Sequence, residues 1–211
     1  MERARDSLAT PGRPARRPFS MIRSLHAADL LTLANGCCGV AAIFHVLRFM
    51  QGREPAALVT AAALVPLAAV FDVLDGRVAR WRHESSSLGR EMDSLADVVS
   101  FGVAPATIAY GLGLDRVADQ VILIAFAVCG LARLARYNVT AEQLSGGTGK
   151  VAYFEGTPIP TSVVPLGLAV LAWRTGWLLP VAPLGVPLHL STLLFAVSGA
   201  LMISTIRIPK P

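Results

Sequence analysis

Apolar residues fill six long stretches of the chain, at residues 29–47, 56–75, 93–112, 117–135, 159–179 and 188–206, and the charged residues collect between them. A helix needs about 20 apolar residues to cross the hydrocarbon of a bilayer. The pattern therefore predicts an all-α integral membrane protein with six transmembrane helices. The second helix is expected to run on through Arg82 into water and to kink at Pro66, where the ring removes a backbone donor. Before the first span, Phe19, Ile22 and Leu25 recur every third residue opposite Ser20, Arg23 and Ser24, the pattern of a short amphipathic helix lying in the headgroup region. Residues 1–17 hold five arginines and two prolines with no apolar period and are read as a disordered basic tail. Residues 18–211 then form one membrane domain, without an internal repeat.

Composition agrees with this pattern. Hydrophobic residues make up 54% and charged residues 16% of the chain, where soluble domains carry about a quarter charged. The net charge of +5 leaves no solvated basic face of the kind that reads nucleic acid, so membrane lipid is the expected partner and nucleic acid is not. With the N-terminus in the cytoplasm, 15 of the 19 Lys and Arg residues fall on the cytoplasmic side, leaving Arg48, Arg53, Arg116 and Arg174 toward the other. That asymmetry predicts a multi-pass protein of the cell (inner) membrane with both termini cytoplasmic. The three cysteines sit in apolar stretches with no histidine at ligand spacing and are read as packing residues.

The stretch from Asp72 to Asp97 does not fit a purely apolar account. Asp72 and Asp75 end the second span, and Asp93 and Asp97 begin the third. A carboxylate deep in a membrane costs about 2.5 to 3.5 kcal/mol on insertion scales, so four amount to roughly 10 kcal/mol without compensation. Asp72, Asp75, Gly76, Ala79 and Arg80 share one helical face, while Asp93 and Asp97 stack at i and i+4 with Gly89 one turn earlier. A short loop makes the two helices antiparallel neighbours, so the carboxylates converge. Hard oxygen ligands of this kind suit Mg²⁺ or Mn²⁺, with Ca²⁺ as a further occupant, and four carboxylates are enough charge for two ions. Small residues at 76 and 79 clear space, and Arg80 adds a planar fork that suits phosphate. The competing structural account is a set of surface salt bridges to Arg77, Arg80, Arg82 and Arg90.

The spacing Asp72-x2-Asp75-Gly76-x2-Ala79-Arg80-x8-Gly89-x3-Asp93-x3-Asp97 resembles, at every fixed position, the signature of the CDP-alcohol phosphatidyltransferase family. The resemblance extends over about residues 20–210. It implies a membrane-embedded homodimer that holds two divalent cations and transfers a phosphatidyl group from a CDP-linked lipid to an alcohol, releasing CMP. Thr32-x2-Asn35-x2-Cys38-Gly39, the stretch Phe101-Gly102-Val103-Ala104-Pro105, residues 132–138 and residues 154–160 are similar to the phosphatidylserine synthase branch. The branch implies CDP-diacylglycerol and L-serine as substrates.

By the same resemblance, Asp72, Asp75, Asp93 and Asp97 are metal ligands, with Asp97 also the catalytic general base. Gly76, Ala79, Arg80 and Gly89 face the nucleotide, with Asn35 and Gly39 closing its pocket from the first helix. The carboxylate of serine calls for a cation near the cytoplasmic surface, and Arg133 and Arg136 at i and i+3 on the fourth helix, with Asn138 beside them, are the candidates for it. Either arginine has lipid phosphate as an alternative partner. Other readings of the acidic cluster are the same chemistry on glycerol 3-phosphate or inositol phosphate and, in another class, an ion-coupled transporter.

Overall fold

The computed structural model of the protein describes residues 27–82, 87–145 and 153–209. The basic tail and the amphipathic segment 19–26 expected from the sequence lie outside the described residues. In chain order the elements are α1 (Ala27–Gly52), α2 (Pro55–Arg82), α3 (Ser87–Asp97), a π-helical turn (Val98–Val103), α4 (Ala104–Gly111) and α5 (Val117–Ser145). A 3₁₀ turn (Ile159–Ser162), α6 (Val163–Arg174) and α7 (Thr192–Ile203) complete the helices. Two short antiparallel pairs join β1 (Tyr153–Glu155) to β4 (Arg207–Pro209) and β2 (Pro180–Val181) to β3 (Leu188–His189).

Three helical segments, Ala27–Gly52, Pro55–Arg82 and Val117–Thr140, are long and apolar enough to cross a membrane. The protein is thus mostly helical and membrane-embedded. α6 and α7 have 12 residues each, shorter than the apolar runs that contain them. Proline sets much of that difference. Pro158 and Pro160 hold the start of the fifth run in a 3₁₀ turn, and Pro180, Pro183 and Pro187 keep the next stretch out of helix.

The buried face of α1 carries Asp29, Thr32, Asn35, Cys38, Gly39, Ala42, Val46 and Phe49, the three-and-four spacing of one helical stripe. α2 answers with Ala57, Leu58, Ala61, Val65 and Ala68, and continues unbroken through Pro66. Only Arg53 and Glu54 separate the two helices. Arg53 makes the reversal at φ 54°, its N–H donating to the Phe49 carbonyl at 2.7 Å and its guanidinium lying 5.6 Å from the Phe49 ring centre. So short a connection forces α1 and α2 to pack antiparallel along their lengths. The outer faces are apolar as well: Leu30, Phe44, Val121, Ile124 and Val197 are all exposed. Such a surface is at home in lipid rather than water.

A π-helical turn links α3 to α4, which the apolar pattern did not foretell. Ser100, Phe101 and Gly102 are all buried there, where one face of a regular α-helix would turn one of them outward. The cause lies on α1. A Cβ on Gly39 would stand 2.5 Å from Ser100 Oγ, so only glycine lets the two helices meet, and Ser100 Oγ donates to the Asn35 carbonyl at 2.9 Å. The widened turn falls directly after Asp97.

Near the last turn of α7 the chain is strapped down. Beside the β1–β4 pair, the N–H groups of Gly156 and Thr157 donate to Ile206 O at 2.9 Å and Leu201 O at 3.2 Å. Gly156 has φ +73°, and a Cβ there would come within 2.4 Å of Met202 O. The 154–160 stretch singled out in the sequence is therefore held by backbone contacts that require glycine at 156.

Candidate active site

The bundle gathers carboxylates from two helices. Asp75 is buried and Asp72 half-buried on α2, and Asp93 is half-buried on α3. Ligand oxygens of these three residues lie within 4.8 Å of one another. Asp97, one turn further along, is buried and does not join that group of three. Its Oδ1 instead accepts a hydrogen bond from Asn35 Nδ2 at 2.9 Å. Asp75 Oδ2 likewise accepts from Thr32 Oγ1 at 2.8 Å. Both donors come from the buried stripe of α1, so the first helix holds one carboxylate on each of the other two.

Compensation by salt bridges is not what the structure shows. Among the described residues, none of the four aspartates has an arginine within ion-pair distance. Asp93 Oδ1 is buried without a hydrogen-bond partner. A buried carboxylate oxygen with no partner, in a cluster of three, fits a hard divalent cation. Asp72, Asp75 and Asp93 are the residues that would hold one.

The remaining sequence candidates divide by location. Gly76, Ala79 and Gly89 are half-buried and Arg80 is exposed at the same end of α2 and α3. A Cβ on Gly76 would meet Arg80 Nη1 at 3.5 Å, so the guanidinium arches over the glycine. Gly39 lies against Ser100, as above. On α5, Arg133 is half-buried and feels the charges of Asp97 and Asp72, and its buried Nε has no partner. Arg136 points elsewhere: its Nη1 and Nη2 each lie 3.4 Å from carbonyl oxygens, those of Ile203 and Ser204 at the end of α7. Cations suit that position, because the last carbonyls of a helix lack partners. Asn138 Nδ2 donates to Ser94 Oγ at 2.9 Å and ties α5 to α3. Of the three acceptor candidates, Arg133 is the one turned toward the carboxylates.

Three supporting residues escaped the sequence reading as site residues. Thr32 entered only as part of a branch motif, Ser94 not at all, and Asp29 only as the start of an apolar run. Asp29 is buried in the first turn of α1 and raises the local negative charge at Asp75. The i, i+3 step from Asp29 to Thr32 to Asn35 was a readable signal, because three polar residues on one face of an apolar helix must find partners inside.

A family model for CDP-alcohol phosphatidyltransferase matches residues 25–203. The chain belongs to the CDP-alcohol phosphatidyltransferase family. Within this family of transferases it is 46% identical over 204 residues to the CDP-diacylglycerol–serine O-phosphatidyltransferase of Saccharomyces cerevisiae, covering 92% of this chain and 74% of that protein. It is 36% identical over 177 residues to the protein of the same name from Mycobacterium tuberculosis, covering 80% of this chain and 59% of the relative. The archaetidylserine synthase of Methanothermobacter thermautotrophicus is 38% identical over 185 residues, 86% of this chain and 69% of the relative. The chain thus spans about three-quarters of the yeast phosphatidyltransferase and a smaller part of the mycobacterial one. These relatives bear out the branch as well as the family read from the motif.

Proposed function

We propose that the protein transfers a phosphatidyl group from CDP-diacylglycerol to the hydroxyl of L-serine, giving phosphatidylserine and CMP. The observation that carries this reading is the meeting of Asp72, Asp75 and Asp93, with Asp97 and Arg133 alongside. The names of the relatives favour serine over other alcohols. Three helices of spanning length support a membrane location. In the full topology α3, the π turn and α4 act together as a third span, and α6 and α7 complete six, with both termini and the active site cytoplasmic in the cell (inner) membrane. The enzyme works as a homodimer. Residues 1–17 form a basic tail ahead of the catalytic domain, 18–211.

Asp72, Asp75 and Asp93 are the principal ligands for two ions of Mg²⁺ or Mn²⁺, with Asp97 at the edge of the site. Bound divalent cations supply neutralisation of the diphosphate and of the departing CMP. Gly76, Ala79, Arg80 and Gly89 receive the nucleotide, with Asn35 and Gly39 on the α1 side. Arg80 sets a fork of donors beside the diphosphate. Arg133 takes the serine carboxylate, which fits an unpartnered guanidinium Nε next to negative charge. Arg136 and Asn138 hold α5 in place around that pocket. Asn35 occupies Asp97 Oδ1, leaving Oδ2 to accept the serine hydroxyl proton. The serine oxygen then bonds to the lipid-linked phosphorus as the bond from that phosphorus to the bridging oxygen breaks. CMP leaves with the bridging oxygen.

Purified protein in lipid nanodiscs, given CDP-diacylglycerol with serine, glycerol 3-phosphate or inositol phosphate, tests this by CMP release. Release is expected with serine, to stop under excess chelator and to return with Mg²⁺ or Mn²⁺. Release that ignores serine and follows another acceptor overturns the serine assignment, and release that survives chelation overturns the metal site.

The two arginines separate by kinetics. Arg133→Ala is expected to raise the serine KM about tenfold or more while moving the KM for the lipid nucleotide little, because one charge-assisted contact is worth about 1.5 to 3 kcal/mol. Arg136→Ala should lower thermal stability and leave the ratio of the two KM values unchanged. Equal shifts in both KM values for Arg133→Ala would show that this arginine does not bind the acceptor.

A further inference from the structure

An apolar groove of about 540 Å³ runs between α1 and α3 on the outside of the bundle. Its mouth is at the carboxylate end. Thr32 lines it and gives its hydroxyl to Asp75, while Met92 and Ala96 line it and directly precede Asp93 and Asp97 in sequence. From there the groove follows Gly36, Val40 and Phe44 along α1. A Cβ on Gly36 would touch Ala96 Cβ at 3.4 Å, so the floor is shallow only because both residues are small.

We propose that this groove seats a hydrocarbon chain of the lipid nucleotide, rising from the site between α1 and α3. The inference rests on the substrate reading above and assigns the chain its path. Two properties of the groove select this occupant. Thr32 is its one hydroxyl-bearing wall residue, and that hydroxyl is already committed, so nothing along the rest of the wall offers a partner to a polar ligand. Its length is the second. Thr32 to Phe44 spans about 18 Å at 1.5 Å per residue, close to one leaflet of a hydrocarbon core of about 30 Å. A lipid whose headgroup sits at the carboxylates has its chains in that same leaflet. A helix from a second copy of the protein would cross both leaflets and would use more of α1 than the groove covers.

The groove also predicts selectivity. Val40 lies partway along it, 42% exposed, where a large side chain would block the passage beyond while leaving the mouth open. Val40→Trp and, as a control of equal bulk on the lipid-facing side of α7, Val197→Trp are compared with the unaltered protein in nanodiscs. Serine-dependent CMP release is followed with CDP-dihexanoylglycerol and with CDP-dioleoylglycerol. Val40→Trp is expected to lower kcat/KM for the dioleoyl substrate at least tenfold more than for the dihexanoyl one. Val197→Trp is expected to treat the two alike.

Equal loss on both substrates, no loss on either, or discrimination by Val197→Trp as well would each overturn the groove assignment. So would a change in oligomeric mass in Val40→Trp with no chain-length effect, the result of a protein–protein contact at the groove. Absence of serine-dependent release from the unaltered protein with either lipid would instead overturn the substrate reading on which the assignment rests.

Discussion

Asp97→Asn abolishes transfer while leaving the protein folded and its cation site occupied. The expected loss in kcat is about 10² to 10⁴, the range for removing a positioned general base, because an amide cannot take the serine proton. Folding should survive, since the side chain keeps its shape and its oxygen remains available to Asn35 Nδ2. Cation binding should survive because the three oxygens that converge belong to Asp72, Asp75 and Asp93. Mn²⁺ affinity read by electron paramagnetic resonance, alongside CMP release and a melting curve, separates these effects. An affinity within about threefold of the unaltered protein, with turnover lost, assigns Asp97 to proton transfer. Turnover within tenfold of normal would remove it from the mechanism. A parallel collapse of Mn²⁺ binding and turnover would make Asp97 chiefly a ligand.

The aspartate pattern was legible because helical arithmetic is local. Residues 72 and 75 must share a face, as must 93 and 97, and a short loop must bring those faces together. What spacing could not separate was Asp97 from the other three. That difference comes from α1, where Asn35 turns toward one carboxylate and Thr32 toward another, and contacts between distant helices have no sequence period. The same limit applies on α5. Arg133 and Arg136 look equivalent along a helix, yet the end of α7 claims one of them.

The long helices were legible for a similar reason. Apolar length alone marks α1, α2 and α5, and nothing in their interiors breaks the backbone hydrogen bonding except Pro66, which α2 accommodates. The π turn was not, because it answers the close meeting of Gly39 with Ser100 rather than any residue within its own six. π turns add a residue to one helical turn and are frequent at functional sites. Here the turn follows Asp97 immediately, so the packing of Gly39 also fixes the direction in which that carboxylate leaves α3. Gly39, expected at the nucleotide pocket from the family pattern, has in this packing a structural reason of its own.

Asp119→Ala is expected to be among the most destabilising single substitutions in the bundle. Asp119 lies in the first turn of α5 and its side chain is fully buried. One oxygen accepts from the His189 backbone N–H at 2.9 Å and from Thr192 Oγ1 at 2.6 Å. The other lies 2.7 Å from His189 Nδ1 and accepts from the Arg116 N–H at 3.2 Å. One carboxylate thus fastens the β3 turn and the first residue of α7 to the start of α5. Neither His189 nor Asp119 stood out in the sequence, because 70 residues separate them and each alone has the look of a loop residue. Truncation leaves several donors facing an empty acceptor position, which costs about 3 to 5 kcal/mol for a buried charged partner. In a chain of this size that lowers Tm by about 10 °C. Arg133 is 14 residues along α5, about 21 Å away at helical rise, so the KM for serine should hold in the folded fraction. Thermal unfolding in detergent and serine kinetics at low temperature measure the two separately. A Tm within about 2 °C of the unaltered protein would mean that β3 and α7 are anchored elsewhere, and a raised serine KM at full stability would tie this end of α5 to the active site.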